Sequence, residues 1–110
     1  MSITCVIDLS KLVIPNKTDS ISGRGFGEGI AEREKVMQHL EQNDKFIMRI
    51  DSKKVKAIND SFIKGFFSEV FRTLKSRQRV REVFELDASD NFKRLFEKNW
   101  AILEAINAAA

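Results

Sequence analysis

The sequence predicts an α/β fold, a small, mainly parallel or mixed sheet of three to four strands packed with three helices. Short β-branched runs alternate along the chain with longer segments whose apolar residues recur at helical spacing. The chain has 110 residues, of which 43% are hydrophobic and 32% are charged. This size and composition are typical of one globular domain, which we place at residues 1–110.

The first half of the chain predicts strands followed by a long helix. "ITCVIDL" (3–9) is short and β-branched and predicts a strand. "KLVIP" (11–15) predicts a short edge strand that Pro15 ends. Helical spacing then holds from about Gly25 to Gln42. Its predicted core face consists of Phe26, Ile30, Met37 and Leu40.

The middle of the chain predicts a strand and the clearest helix. "KFIMRID" (45–51) predicts a strand, and a little extended structure is expected at 55–58. The helix is predicted from Ser61 to Lys75 because its apolar residues form a stripe wide enough to be buried against a sheet. That stripe consists of Phe62, Ile63, Phe66, Phe67, Val70, Phe71 and Leu74.

The last part of the chain predicts a strand and a C-terminal helix. "VREVFEL" (80–86) alternates apolar and charged residues, which indicates a strand with one wetter face. The C-terminal helix is predicted at about 89–107, with Asp87 or Ser89 as its cap and "NAAA" (107–110) as its frayed end. Its core face is predicted to be Phe92, Leu95, Phe96, Ile102, Leu103 and Ile106.

Composition argues against several classes of function. The N-terminus lacks a signal-peptide pattern, no apolar run approaches the length of a membrane span, and the single Cys5 favours a reducing compartment, so we expect a cytoplasmic protein. Cys5 is expected to act as a small hydrophobic residue, and His39, the only histidine, as a surface helix residue. No histidine pair or triad signature is present, so we predict no catalytic residues, no metal site and no cofactor.

Four of the five glycines fall within "GRGFGEG", part of a glycine-rich loop at 22–29. Free N–H groups at a helix start attract anions, which makes Gly23, Arg24, Gly25 and Gly27 candidate anion- or nucleotide-binding residues. The spacing fits neither the dinucleotide fingerprint nor the P-loop. The alternative is a loop that lets the first helix pack tightly on its neighbours.

The second candidate site lies at the start of the phenylalanine-rich helix. Asn59, Asp60 and Ser61 are each good N-cap residues, which explains their presence structurally. A hydroxyl at a helix N-terminus also lies in a favourable field for a phosphate, so Ser61 is a candidate phosphoacceptor. The similar pair Asp51-Ser52, at a strand end, is interpreted as turn chemistry.

Two basic segments form a third candidate site. The formal charge of +3 permits nucleic-acid binding without requiring it. No helix-turn-helix or stacking-aromatic motif accompanies these residues, so solvated side chains are the preferred interpretation. The residues are Lys53, Lys54, Lys56, Arg72, Lys75, Arg77, Arg79 and Arg81.

Several motifs resemble those of STAS domains, the fold of anti-sigma-factor antagonists. In "VKAINDSFIKGFF", a short apolar segment leads into an Asp-Ser turn that opens a helix, and a strand ending in Asp51 precedes it. "SGRGFGE", "DSFIKGFFSEVF" and "FELDASDNFKRLFEKNW" resemble more closely the STAS-like family of uncharacterised bacterial proteins. The resemblance spans about residues 21–106.

The resemblance implies a non-enzymatic regulatory domain that binds a protein partner, either a histidine-kinase-like ATPase or an anti-sigma factor. In anti-sigma-factor antagonists a kinase-type partner phosphorylates the serine of this turn, and Ser61 occupies that place here. Phe62 stands where those domains have glycine, and Asp60 where they have a preceding serine. The implied partner-binding surface is Asp51, Asn59, Asp60, Ser61, Phe62 and Lys64.

Overall fold

A computed structural model describes residues 2–14 and 17–108 and confirms the α/β class. The strands are β1 (Thr4–Asp8), β2 (Ser20–Ile21), β3 (Lys45–Arg49), β4 (Ala57–Ile58) and β5 (Phe84–Asp87). The helices are a 3₁₀ helix (Leu9–Leu12), α1 (Arg24–Arg33), α2 (Val36–Glu41), α3 (Asp60–Leu74), α4 (Arg77–Val83) and α5 (Asp90–Ala108).

The strands form two separate parallel sheets. One has the order β1-β3-β5, with Cys5 opposite Phe46 and Phe46 opposite Phe84. The other pairs β2 with β4, with Ile21 opposite Ile58. Each strand of this short pair leads directly into a helix, β2 into α1 and β4 into α3. Because β2 and β4 run in the same direction, the two helices start side by side.

The core forms around α3, as the apolar stripe predicts. Every residue of that stripe is buried. The ring of Phe67 lies 5.0 Å from that of Phe84 on β5 and 5.3 Å from that of Trp100 on α5. Helix α3 therefore lies between the sheet and the C-terminal helix.

The opposite face of the three-stranded sheet is more open. Val6 on β1 is 52% exposed, although it pairs with Ile47 of β3. Arg49 and Asp87, neighbours on the same face, are exposed and joined by an ion pair of 3.1 Å. Parallel sheets usually have both faces covered, so this open face is a notable feature of the fold.

The predicted helix at 25–42 is interrupted. Helix α1 ends at Arg33 and α2 begins at Val36. Between them Lys35 adopts a left-handed conformation with φ of 54°. Val36 is only 1% exposed, so the turn places an apolar side chain in the core that a continuous helix would have directed elsewhere. Phe26, predicted to be in the core, is 45% exposed.

The predicted edge strand at 11–15 is wrong. Leu9 is completely buried, and the chain turns there into the 3₁₀ helix. The Asp8 carboxylate caps this helix by accepting a hydrogen bond of 3.0 Å from the Ser10 backbone N–H. Capping and burial therefore override the local strand pattern. Pro15, the predicted end of the strand, lies outside the described residues.

The predicted strand at 80–86 is half helix. The hydroxyl of Ser76 caps α4, which includes Val80, and only from Phe84 does the chain become a strand. The spacing of Val80 and Val83 also fits one turn of a helix, so the sequence pattern was ambiguous.

The C-terminal helix agrees with the prediction, and Ser89 acts as its cap through a hydrogen bond of 3.4 Å from the Phe92 N–H. Ile106 is 60% exposed and is therefore not part of the core. The last residues of the predicted frayed end, 109–110, lie outside the described residues. Among the described helices, none is both long enough and apolar enough to cross a membrane.

Candidate functional site

The starts of α1 and α3 are joined by hydrogen bonds. The Asn59 N–H donates to the carbonyl of Ile21 at 2.7 Å, which continues the pairing of β2 with β4. One step further, the Ser61 hydroxyl accepts a hydrogen bond of 3.3 Å from the Gly23 N–H and donates one of 3.0 Å to Asn59 Oδ1. Ser61 thus connects two helix starts that are 38 residues apart in the sequence.

Asn59 is the N-cap of α3. Its side-chain oxygen accepts a hydrogen bond of 2.9 Å from the Ser61 backbone N–H, in addition to the bond from the Ser61 hydroxyl. The sequence identified three candidate caps, and the structure selects Asn59. The side chain of Ser61 is half-buried, so its hydroxyl is neither sealed in the core nor fully in solvent.

Asp60 points towards α5. Its carboxylate accepts hydrogen bonds from Asn99 Nδ2 at 3.1 Å and Lys98 Nζ at 3.2 Å. The Asn99 bond, followed by the Lys98 bond, lowers the pKa of the Asp60 carboxyl. Asn99 is completely buried, so Asp60 helps to satisfy an amide inside the core. The main role of Asp60 visible here is therefore to link α3 to α5.

Two residues of the predicted partner surface are placed differently. Phe62 has no exposed area, because it lies on the core face of α3, and it is therefore not a surface residue. Asp51 is in the turn after β3, where its carboxylate accepts a hydrogen bond of 2.9 Å from the Lys53 N–H. The interpretation of Asp51-Ser52 as turn chemistry is confirmed.

An exposed aromatic side chain lies next to this site. The ring of Phe26 packs against that of Phe62 at 5.7 Å but remains 45% exposed. Its exposure was not predictable from the sequence pattern, because Phe26 lies in phase with the core face of α1. We use the name helix-start surface for the set of residues Arg24, Phe26, Asn59, Ser61 and Lys64.

The prediction of a glycine-rich loop at 22–29 is wrong, because residues 24–29 form the start of helix α1. Two of the four glycines, Gly27 and Gly23, have a clear structural role. A Cβ on Gly27 would lie 2.2 Å from the carbonyl oxygen of Phe62. Gly23 has φ of 104° and its N–H is engaged by Ser61. Of the four predicted anion-binding residues, Gly27 therefore allows α1 to pack closely against α3. The side chain of Arg24 is exposed and lies 4.0 Å from the Glu28 carboxylate. Anion binding by this segment stays a prediction.

No protein-family model, curated protein or solved structure matches the chain.

Of the eight predicted basic residues, Arg72, Lys75 and Arg79 are simply exposed, and the other five fall into two groups. Arg81 forms two hydrogen bonds of 2.6 and 2.7 Å with the Glu97 carboxylate, and Arg77 contacts Glu104 at 3.1 Å. These two arginines therefore face carboxylates rather than a free surface. The lysines of the other segment line a cleft of about 720 Å³ together with two lysines from the N-terminal region. We use the name lysine cleft for Lys11, Lys17, Lys53, Lys54 and Lys56.

His39 is not an ordinary surface residue. Its Nδ1 lies 2.7 Å from the carboxylate oxygen Oδ2 of Asp44, which is only 2% exposed. The sulfur of Cys5 lies 3.6 Å from Nδ1 and 3.7 Å from Nε2 of the same ring. The prediction that Cys5 is only a small hydrophobic residue is thus incomplete, because the fold brings it to the only histidine of the chain.

This cluster does not have the geometry of a cysteine nucleophile. In a cysteine–histidine–acid arrangement, the thiol lies in line with one ring nitrogen of the imidazole base. The acid accepts a hydrogen bond from the other ring nitrogen. Here the sulfur is almost equidistant from both nitrogens of His39, so it lies off the in-plane direction of either one. Burial, followed by the charges of Asp44 and Glu34, raises the pKa of the Cys5 thiol, which disfavours the reactive thiolate.

Proposed function

We propose that the chain is a cytoplasmic, non-enzymatic regulatory domain of the anti-sigma-factor-antagonist type, which binds a protein partner through the helix-start surface. The observation that carries this proposal is the contact between Ser61 and Gly23. It makes the starts of α1 and α3 one continuous surface with a hydroxyl at its centre. Two of the three motifs that resemble STAS-like proteins, "SGRGFGE" and "DSFIKGFFSEVF", lie on the same two helix starts.

The chemistry of this surface suits protein recognition. Phe26 offers an exposed aromatic ring already packed on one side, which reduces the entropy lost on binding. Arg24 is 63% exposed and offers a charge beside it. An apolar anchor next to polar and charged groups is a common arrangement in protein interfaces.

Phosphorylation of Ser61 would alter this surface directly. The hydroxyl now donates to Asn59 Oδ1, and a phosphate ester has no proton to donate there. Asn59 cannot simply turn its amide, because the same oxygen caps the Ser61 backbone N–H. Added negative charge would therefore disturb the cap and the Gly23 contact together, which is a physical basis for a switch.

A binding comparison with matched variants tests the proposal. Wild type, Ser61→Asp and Phe26→Ala would be used to capture partners from bacterial lysate, with Thr73→Asp, at an exposed position near the other end of α3, as the control. We expect a kinase-type ATPase or anti-sigma factor to be retained by wild type and Thr73→Asp and lost by the other two. Identical partner sets for all four proteins would contradict the proposal.

The lysine cleft favours a second candidate, binding of a polyanion such as nucleic acid. All five of its lysines are exposed. Each contact between a lysine and a phosphate would make the binding affinity fall more steeply with salt concentration. Replacing Lys53, Lys54 and Lys56 with Gln should then abolish a salt-dependent mobility shift. Replacing the carboxylate-facing Arg77 and Arg81 should leave it nearly unchanged. Absence of any shift at low salt would remove this candidate.

A further inference from the structure

Three metal-binding side chains converge from different parts of the fold. Cys5 is on β1, His39 is on α2, and Asp44 directly precedes β3. Their ligand atoms all lie within 4.8 Å of one another. The lack of a second histidine, from which the sequence predicts no metal site, does not exclude a mixed donor set of sulfur, nitrogen and oxygen.

The spacing of these atoms is close to that around a tetrahedral zinc ion. Zinc bond lengths place a thiolate sulfur and an imidazole nitrogen about 3.6 Å apart, and an imidazole nitrogen and a carboxylate oxygen about 3.4 Å apart. Cys5 Sγ and His39 Nδ1 are 3.6 Å apart. Two adjustments are needed. The contact of 2.7 Å between Nδ1 and Asp44 must lengthen, because a hydrogen bond now occupies the place of the ion. The Cys5 side chain or the His39 ring must also turn, because the sulfur now lies almost equidistant from both ring nitrogens and an ion binds in the ring plane beside one of them.

The surrounding structure holds the ligands in place. The other carboxylate oxygen of Asp44 accepts a hydrogen bond of 2.9 Å from the Ile3 N–H, which leaves Oδ2 directed at His39. The ring of His39 packs edge-on against Phe46 at 5.7 Å. Such supporting contacts orient metal ligands and increase affinity. His39 is 24% exposed, so an ion has access from solvent.

We propose that Cys5, His39 and Asp44 bind a divalent cation of the zinc type, with one coordination position open. A thiolate and an imidazole favour zinc over magnesium or calcium, which prefer oxygen ligands. On binding, the thiol releases its proton to solvent and the imidazole proton moves from Nδ1 to Nε2. Three protein ligands leave the fourth position for water or a group from another molecule. This site is independent of the helix-start surface.

Cobalt titration of the reduced, tag-free protein tests the proposal, since Co²⁺ is a coloured substitute for Zn²⁺. We expect one equivalent to produce thiolate-to-cobalt charge-transfer absorption, which Zn²⁺ then removes. Cys5→Ala and His39→Gln should each weaken binding by at least about 100-fold, because loss of a ligand exceeds loss of a supporting contact.

Glu41→Gln, at an exposed position on the same helix as His39, is the matched control and should bind like wild type. Metal-free thermal unfolding of each variant checks its fold. Absence of the charge-transfer band in the wild type at millimolar Co²⁺ would overturn the proposal without reference to any variant. Unchanged affinity in folded Cys5→Ala would also overturn it.

Discussion

Gly27 of α1 and Gly65 of α3 make a reciprocal contact in which each residue lies against the backbone of the other helix. A Cβ on Gly27 would lie 2.2 Å from the carbonyl oxygen of Phe62, and a Cβ on Gly65 would lie 2.1 Å from that of Arg24. The backbone cannot yield as a flexible side chain would. This contact sets the separation of α1 and α3 and therefore the shape of the helix-start surface.

Substitution of either glycine by alanine should be strongly destabilising. We expect Gly27→Ala and Gly65→Ala each to lower the free energy of unfolding by roughly 3 kcal/mol, the upper end of the usual cost of overpacking. Gly29, also in α1, has open space around it. Gly29→Ala should instead stabilise by about 0.5–1 kcal/mol through helix propensity. Urea unfolding of the three variants measures this, and equal effects would contradict the contact.

Loss of the α3 cap should be measurable. Asn59→Ala removes the oxygen that accepts from both the N–H and the hydroxyl of Ser61. We expect a loss of about 1 kcal/mol in the free energy of unfolding, as for other N-caps. Gln78→Ala, at an exposed position in α4, serves as the control and should change stability by less than about 0.5 kcal/mol. A cost for Asn59→Ala no larger than the control's would be inconsistent with a cap.

The Asp60 carboxyl should make stability depend on pH in acid. Its pKa is lowered in the folded state, mainly by Asn99 and then by Lys98, with Lys64 as a further positive neighbour. The ionised carboxylate therefore contributes its full stabilisation at pH values above the unfolded-state pKa of about 3.9. This contribution is lost as the pH falls through the folded-state pKa. Asp60→Asn should therefore be less stable than wild type at pH 6, with the difference shrinking below about pH 4.

Chemical unfolding of wild type and Asp60→Asn between pH 6 and about pH 2 provides the measurement. Lys98→Gln is the informative control, because it removes the smaller of the two hydrogen-bond contributions. It should keep most of the pH dependence. A difference between wild type and Asp60→Asn that stays constant with pH would show that the carboxylate charge is not involved.

Lys75 ends α3 in the left-handed conformation, with φ of 63°. This conformation is unfavourable for residues with a Cβ and common for glycine at helix ends. We expect Lys75→Gly to raise the free energy of unfolding by about 0.5–1 kcal/mol, because relief of the left-handed conformation is partly offset by the entropy cost of glycine. Lys93→Gly, in the interior of α5, should lower it by about 1 kcal/mol. Thermal unfolding distinguishes the two, and destabilisation by both would contradict the helix-end assignment.

Local patterns in the sequence determined the class of the fold, the extent of α3 and its cap region. The Phe-rich stripe of α3 repeats at helical spacing, and Asn59 precedes it, so both signals lie within a few residues of the structure they specify. The same local signals failed at 80–86, where one pattern suits both a strand and a helical turn. They also failed at Lys35, where burial of Val36 decides the turn.

Only the tertiary structure decided which distant residues meet. Gly23 reaches Ser61 across 38 residues because β2 pairs with β4, and Cys5 reaches His39 across 34 residues because β1 pairs with β3. Strand pairing of this kind depends on how the whole core packs. The periodicity of a helix or strand is set by residues that are close in the sequence. Contacts between distant residues instead depend on how the whole chain buries its apolar surface.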